Sequence, residues 1–319
     1  MLIDRIEQTA IRRIEPAGQI DDPARLSLSQ AQASVPPREL AAWNAVPPPT
    51  PPVPVAAASG VTSVAAARGV QAPDPVALAE MAQDVYNDVP APPPGFRVAS
   101  DAELAAIGVD PAQLTTRASG YRARAYVSGT GESAQVVIAF RGTAGGSDWV
   151  ADARQAVGLG TDHYRQALAL GRQVARSGAA NVTFTGHSLG GGLASAAGLA
   201  AGREATTFNA AGLSDATIGQ ADAIRTASRR GVPDIRAYYV SGEILSALQD
   251  GGDRVAGALI GHAIGGISGG VLGAQVDAPE AYGHRIELDA VAPEGKHFWE
   301  RHAVDKHGMD WVLASLRAQ

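Results

Sequence analysis

Hydrophobic positions change their period several times along this chain. Leu78, Met81, Ala82 and Val85 recur at helical spacing behind Asp74-Pro75, an N-cap followed by a first-turn proline, and Pro90 ends the run. Ser100 and Glu103 form a capping-box pattern ahead of Leu104 and Ile107, and Gly108 closes that short helix. Residues 121–127 alternate as a half-buried strand does, and 128–131 turn the chain. Residues 136–140, VVIAF, are a continuous apolar run suited to a strand covered on both faces. Beyond them the pattern predicts a helix over 161–178, a strand over 182–185, and a helix over 193–201 that follows a glycine turn. Strands at 205–208 and 235–240 are separated by helical sequence, and a last strand at 284–288 precedes a closing helix at 309–316. This alternation predicts an α/β fold with a mainly parallel sheet flanked by helices.

The front of the chain obeys different rules. Sixteen of the 20 prolines lie within residues 1–94, and none falls between Pro111 and Pro233. Residues 36–56 are too proline-rich for a helix or a central strand, because each ring removes a donor and fixes φ near −65°. The Ala-rich residues 56–72 offer no apolar period, so they bury too little to offset their chain entropy. Residues 1–72 therefore read as a disordered Pro/Ala-rich tail, serving export or docking or acting as a bare linker, ahead of a domain over 73–319.

Composition removes several function classes. Lys and Arg number 26 against 32 Asp and Glu, a net charge of −6, which gives no support to nucleic-acid binding. Cysteine is absent, so thiol catalysis, thiolate metal sites and disulfides are excluded. Charges interrupt every apolar stretch in residues 1–20, so no signal peptide is expected; the protein is cytoplasmic as made, and any export needs another route.

Chemistry concentrates at Gly186-His-Ser188-Leu-Gly190, set between a strand and a helix. A serine on that sharp turn projects its hydroxyl above the sheet, and side chains two residues to either side would collide with strand or helix. The helix N-terminus and the Leu189 amide face developing negative charge. A phosphate-binding loop is disfavoured because no Gly-Lys-Ser/Thr follows. A serine nucleophile needs a base, and the base an orienting carboxylate, in the chain order Ser, acid, His for this type of fold. His307 opens the final helix. Glu243 lies just past the strand 235–240, where α/β folds assemble their sites, and Asp250 and Asp253 are alternatives. His297, His302 and His307 are five apart, which rotates them about 140° on a helix and argues against a shared metal site.

GHSLGG, preceded by VVIAFRGT and DWVAD and followed by TFNAAGL, resembles the class 3 (fungal-type) lipases of the α/β-hydrolase fold and their bacterial relatives, over about residues 120–319. The resemblance implies Ser188 as nucleophile, His307 as base and Thr143, with the Leu189 amide, as oxyanion hole. Thr143 also ends a buried strand, where a loop can aim an N–H and a hydroxyl at the site. Asp148-Trp149 and Asp152 would brace that loop. The family usually has Asp where Glu243 stands. The resemblance implies a lipase or phospholipase that hydrolyses carboxyl esters of membrane lipids through an acyl-enzyme, without metal or organic cofactor. Its partners would be a lipid substrate and a membrane surface. A leaderless, cysteine-free chain with a proline-rich front also resembles bacterial lipase effectors delivered by type VI-like secretion, whose partners include secretion machinery and an immunity protein. Two other readings are a membrane-inserting or membrane-binding protein on a hydrolase scaffold, and a cytoplasmic esterase of small esters.

Residues 255–276 carry no charged side chain across 22 positions, with Gly257, Gly261, Gly265, Gly269 and Gly273 at every fourth place. As a helix they would span about 33 Å, enough for a bilayer core of ~30 Å. Seven glycines cost such a helix on the order of 7 kcal/mol relative to alanine. A buried glycine-rich loop and a lid that opens at an interface are the two expectations for this segment.

Overall fold

The computed structural model describes residues 73–116, 119–131, 134–142, 149–243, 280–296 and 302–319, without side chains at 149–161 and Val304. The chain divides between Ala66 and Ala67, and every described residue lies in the second unit. The tail over 1–72 and the segment 255–276 lie outside the described residues.

The unit is organised on one mixed sheet. Strands β1 (Arg97–Val98) and β2 (Thr115–Thr116) pair antiparallel with β3 (Tyr121–Ser128), which is itself antiparallel to β4 (Gln135–Phe140). From β4 the sheet continues in parallel through β5 (Val182–His187), β6 (Ala205–Phe208), β7 (Ile235–Val240) and β8 (His284–Leu288). The strand order is therefore β1-β3-β4-β5-β6-β7-β8. Seven α-helices are described: α1 (Pro75–Asp84), α2 (Asp101–Ala106), α3 (Trp149–Ser177), α4 (Leu189–Ala201), α5 (Asp215–Ala227), α6 (Ala303–Lys306) and α7 (Met309–Arg317). This is the α/β-hydrolase-like architecture of parallel strands with helices on both faces.

The apolar run in β4 follows from two-sided burial. Val136, Ile138 and Phe140 enter a core with Leu168, Leu170 and Val174 of α3 and Leu193 and Leu199 of α4, while Val137 and Ala139 face Leu78 and Met81 of α1 and Trp311 of α7. Asp74 caps α1 through Val76 N–H at 3.0 Å, and Ser100 with Glu103 closes a reciprocal capping box on α2.

Two boundaries differ from the sequence reading. Helix α3 begins at Trp149 rather than near 161: Gly158 and Gly160, which signal a break, are carried inside the helix at about 1 kcal/mol each relative to alanine. Helix α4 begins at Leu189, so Gly190, Gly191 and Gly192 form its first turn and not a preceding loop. Contact explains those glycines. A Cβ at Gly191 would stand 2.6 Å from Ala210 Cβ, and one at Gly192 3.0 Å from the Ala211 carbonyl oxygen.

One buried carboxylate ties α1 to the sheet. Asp84, 3% exposed, accepts hydrogen bonds from Ala91 N–H (2.6 Å), the Tyr126 hydroxyl (2.7 Å), Arg124 (2.9 Å) and Asn87 Nδ2 (3.1 Å). Burial alone would raise its pKa, but those donors outweigh it and hold the group below the usual carboxylate value of 3.8. A lowered native pKa means that the stabilisation is complete above the unfolded value and is lost as pH falls through the native one. Asp84→Ala is expected to cost about 3–5 kcal/mol by taking the carboxylate away from Arg124, which keeps only the Asp84 and Asn87 carbonyls, read as a lower Tm at pH 7, with the gap to wild type closing in strong acid. An equal gap at both ends of the pH range would refute the assignment.

Candidate active site

Parallel strands end together at one edge, and the turn after β5 stands at its centre. Ser188 has φ 57° and ψ −129°, a left-handed conformation that costs a non-glycine residue about 1–3 kcal/mol and persists only where its surroundings hold it. Main-chain bonds do so. Ser188 N–H donates to the Phe208 carbonyl (3.1 Å), and the Ser188 carbonyl accepts from Gly191 (2.9 Å), Gly192 (3.3 Å) and Ala211 (3.0 Å). The glycines two residues to either side are dictated by space. A Cβ on Gly186 would lie 2.2 Å from the Gly190 carbonyl oxygen, and one on Gly190 would lie 2.2 Å from that of Phe140. Ser188 occupies the N-cap position of α4, yet its side chain makes no capping bond there. Leu189, half-buried, is the first residue of α4, so its amide lies at the positive end of the helix dipole.

Glu243 and His307 meet beside this turn. Strand β7 ends at Val240, and Gly242 (φ 71°) reverses the chain so that Glu243 N–H bonds back to the Val240 carbonyl at 3.0 Å. The turn is held from two sides, by Ser241 N–H on the Leu288 carbonyl (2.9 Å) and by Lys306 Nζ on the Ser241 carbonyl (3.3 Å). The Glu243 side chain is fully buried, and its Oε2 lies 2.7 Å from His307 Nδ1. A carboxylate only accepts, so Nδ1 carries the proton and Nε2 is the basic nitrogen of the neutral ring. His307 itself is 3% exposed and sits in the break between α6 and α7, where Gly308 N–H bonds to the Asp305 carbonyl at 3.0 Å.

That break corrects the helical reading of the histidines. His302 precedes α6 and His307 follows it, so no continuous helix rotates them by a fixed angle. Of the other histidines, His163 on α3 reaches the Ser119 carbonyl (2.8 Å) and His284 opens β8. His262 and His297 lie outside the described residues, as do Thr143, Asp148, Asp250 and Asp253. Trp149 and Asp152 fall on α3, their side chains outside the description. Among the described residues, no cluster of three His, Asp or Glu could hold a metal ion, and no helix is long and apolar enough to cross a membrane.

Three residues at this edge carry no functional reading in the sequence. His187 is buried in the motif's variable position, with its Nε2 2.7 Å from the His307 carbonyl oxygen. Asn209 directly follows β6, with φ 42°, and is fully buried. Tyr86, two residues past α1, accepts the Gly142 N–H at 2.9 Å, immediately before Thr143; burial pushes its phenol up to about 12, so it stays neutral. Of the three, only His187 had a signal, its place beside the nucleophile.

Comparison with known proteins gives the family. The family model of the Tle-like phospholipase domain matches residues 77–294. An extracellular phospholipase A1 of Serratia liquefaciens is 34% identical over 275 residues, which is 83% of this chain and 76% of the relative.

Proposed function

The chain belongs to the Tle-like phospholipase family and is a lipid ester hydrolase, and on that premise we propose that it cleaves glycerophospholipid carboxyl esters by serine catalysis. The observation that carries the reading is the buried 2.7 Å contact between Glu243 and His307 at the edge of the sheet where Ser188 is held in its left-handed turn. His307 Nε2 takes the Ser188 hydroxyl proton as Oγ attacks the ester carbonyl. Leu189 N–H at the start of α4 and Thr143 stabilise the oxyanion. Collapse of the tetrahedral intermediate expels the lysophospholipid alkoxide, which recovers the proton from His307. Water then repeats the sequence on the acyl-enzyme, releasing the fatty acid and regenerating Ser188. Glu243 holds the tautomer with Nδ1 protonated and stabilises the imidazolium formed in each half-reaction.

The relative's A1 designation supports attack at the sn-1 ester, and its extracellular description supports action outside the producing cell. Delivery by a specialised secretion system, with an immunity protein guarding the producer, is part of the same proposal, as is a domain starting near residue 73 behind a tail used in export or docking. Vesicles of 1-palmitoyl-2-oleoyl phospholipid test the chemistry. Wild type is expected to release palmitate and leave the oleoyl lysophospholipid. Release of oleate would move the specificity to sn-2. Vesicle leakage that is unchanged in Ser188→Ala, without release of fatty acid, would replace hydrolysis by membrane binding on a hydrolase scaffold.

A further inference from the structure

Ser188, His307 and Glu243 do not explain why a buried histidine precedes the nucleophile or why an asparagine with left-handed backbone follows β6. Both side chains converge on one atom. His187 Nε2 is 2.7 Å and Asn209 Nδ2 3.0 Å from the main-chain carbonyl oxygen of His307. A carbonyl oxygen has two lone pairs, and these two donors supply one hydrogen bond for each. Since a carbonyl only accepts, His187 is the tautomer with Nε2 protonated.

The same two residues reach the other parts of the site. Asn209 Nδ2 also lies 3.2 Å from the Lys306 carbonyl, and its Oδ1 accepts the Val240 N–H at 2.9 Å. One amide thus spans from the end of β7, three residues before Glu243, to the loop that carries His307. The His187 ring packs against the His307 ring with centroids 4.7 Å apart and a tilt of 45°, and His187 is joined directly to Ser188 in sequence. Nucleophile, acid and base sit on three separate segments, and His187 and Asn209 join Lys306 and Glu243 in fastening the third to the first two.

We propose that His187 and Asn209 are positioning residues that fix the His307 imidazole against Ser188 by clamping its own main-chain carbonyl, an inference that rests on the serine reading of the site. Residue choice at both positions fits the role. Burial and the adjacent His307 push the His187 pKa down to about 3, so the ring is neutral at any working pH. It adds no second positive charge when His307 is protonated in the reaction. Asparagine tolerates the left-handed backbone and supplies a donor and an acceptor on one planar group, whereas isosteric aspartate would turn acceptor oxygens toward two carbonyls. A displacement of a catalytic group by about 1 Å costs on the order of 100-fold in rate.

The full-length protein and a short soluble p-nitrophenyl ester provide the test. His187→Leu and Asn209→Asp are each expected to lower kcat about 10- to 100-fold, with KM within twofold of wild type and matched slowing of Ser188 labelling by a fluorophosphonate. His187→Gln, which retains a donor, is expected to recover most of the loss. The double variant is expected to lose less than the product of the single losses, because both act on one carbonyl. Asn209→Gly, suited to the left-handed backbone, serves in place of Asn209→Asp should that variant not fold. Unchanged kcat with only a lowered Tm, or no recovery in His187→Gln, would overturn the clamp. Wild-type activity in Ser188→Ala would instead overturn the serine reading, so the two failures are distinguishable.

Discussion

Ser188→Ala is expected to reduce turnover of both phospholipid vesicles and a short soluble ester by roughly three to six orders of magnitude, with Tm within about 2 °C of wild type. The Ser188 side chain makes no capping bond on α4, and the turn is held by main-chain bonds to Phe208, Gly191, Gly192 and Ala211, all of which alanine retains. The loss is therefore chemical and not structural. His307→Ala should fall into the same range, because residues that act as a unit are not additive when removed. Glu243→Gln should cost at least about 100-fold, since an amide facing Nδ1 can favour the wrong tautomer. Residual activity above a few per cent in Ser188→Ala, measured after excluding wild-type contamination, would end the acyl-enzyme proposal. A silent Glu243→Gln beside a damaging Asp250→Asn would reassign the acid alone.

Local signals carried much of the fold because each has a short-range cause. The proline and glycine punctuation, the cap at Asp74, the box at Ser100 and Glu103 and the two-sided burial of β4 all act within a few residues, and the elements they mark occur where the pattern places them. The errors share one cause. Glycine reads as a turn when only its conformational cost is counted, yet Gly190, Gly191 and Gly192 stand in a helix because neighbouring chains approach too closely for a side chain. The candidate site divides in the same way. Ser188 announces itself by spacing, Glu243 by its place past a strand end and His307 by resemblance, whereas Asn209 and Tyr86 act through contacts 98 and 56 residues away in sequence. No periodicity records such a partner.

That distinction sets up the second large effect, in which one substitution has opposite signs at two helical glycines. Gly190→Ala is expected to cost more than about 4 kcal/mol, enough to lower Tm by roughly 10 °C or prevent folding. Its Cβ would stand 2.2 Å from the Phe140 carbonyl oxygen, 2.8 Å from Gly142 N and 2.9 Å from the Arg141 carbonyl carbon. All three are main-chain atoms at the end of β4, which cannot withdraw without disturbing the pairing of Phe140 with Gly186. Interiors this dense transmit such strain instead of absorbing it. The displaced chain leads straight into Thr143, so any folded fraction should also lose kcat. Gly219 on α5 is the contrasting case. It is exposed, and a Cβ there meets nothing within 4 Å. Gly219→Ala should therefore show only the propensity gain, about 0.5–1 kcal/mol and a rise in Tm of roughly 2 °C, with activity unchanged. Thermal unfolding of the two variants beside wild type decides the matter. A Gly190→Ala protein that melts and turns over like wild type would mean that the elbow has slack, and the close approach of β4 to α4 would no longer explain why glycine stands there.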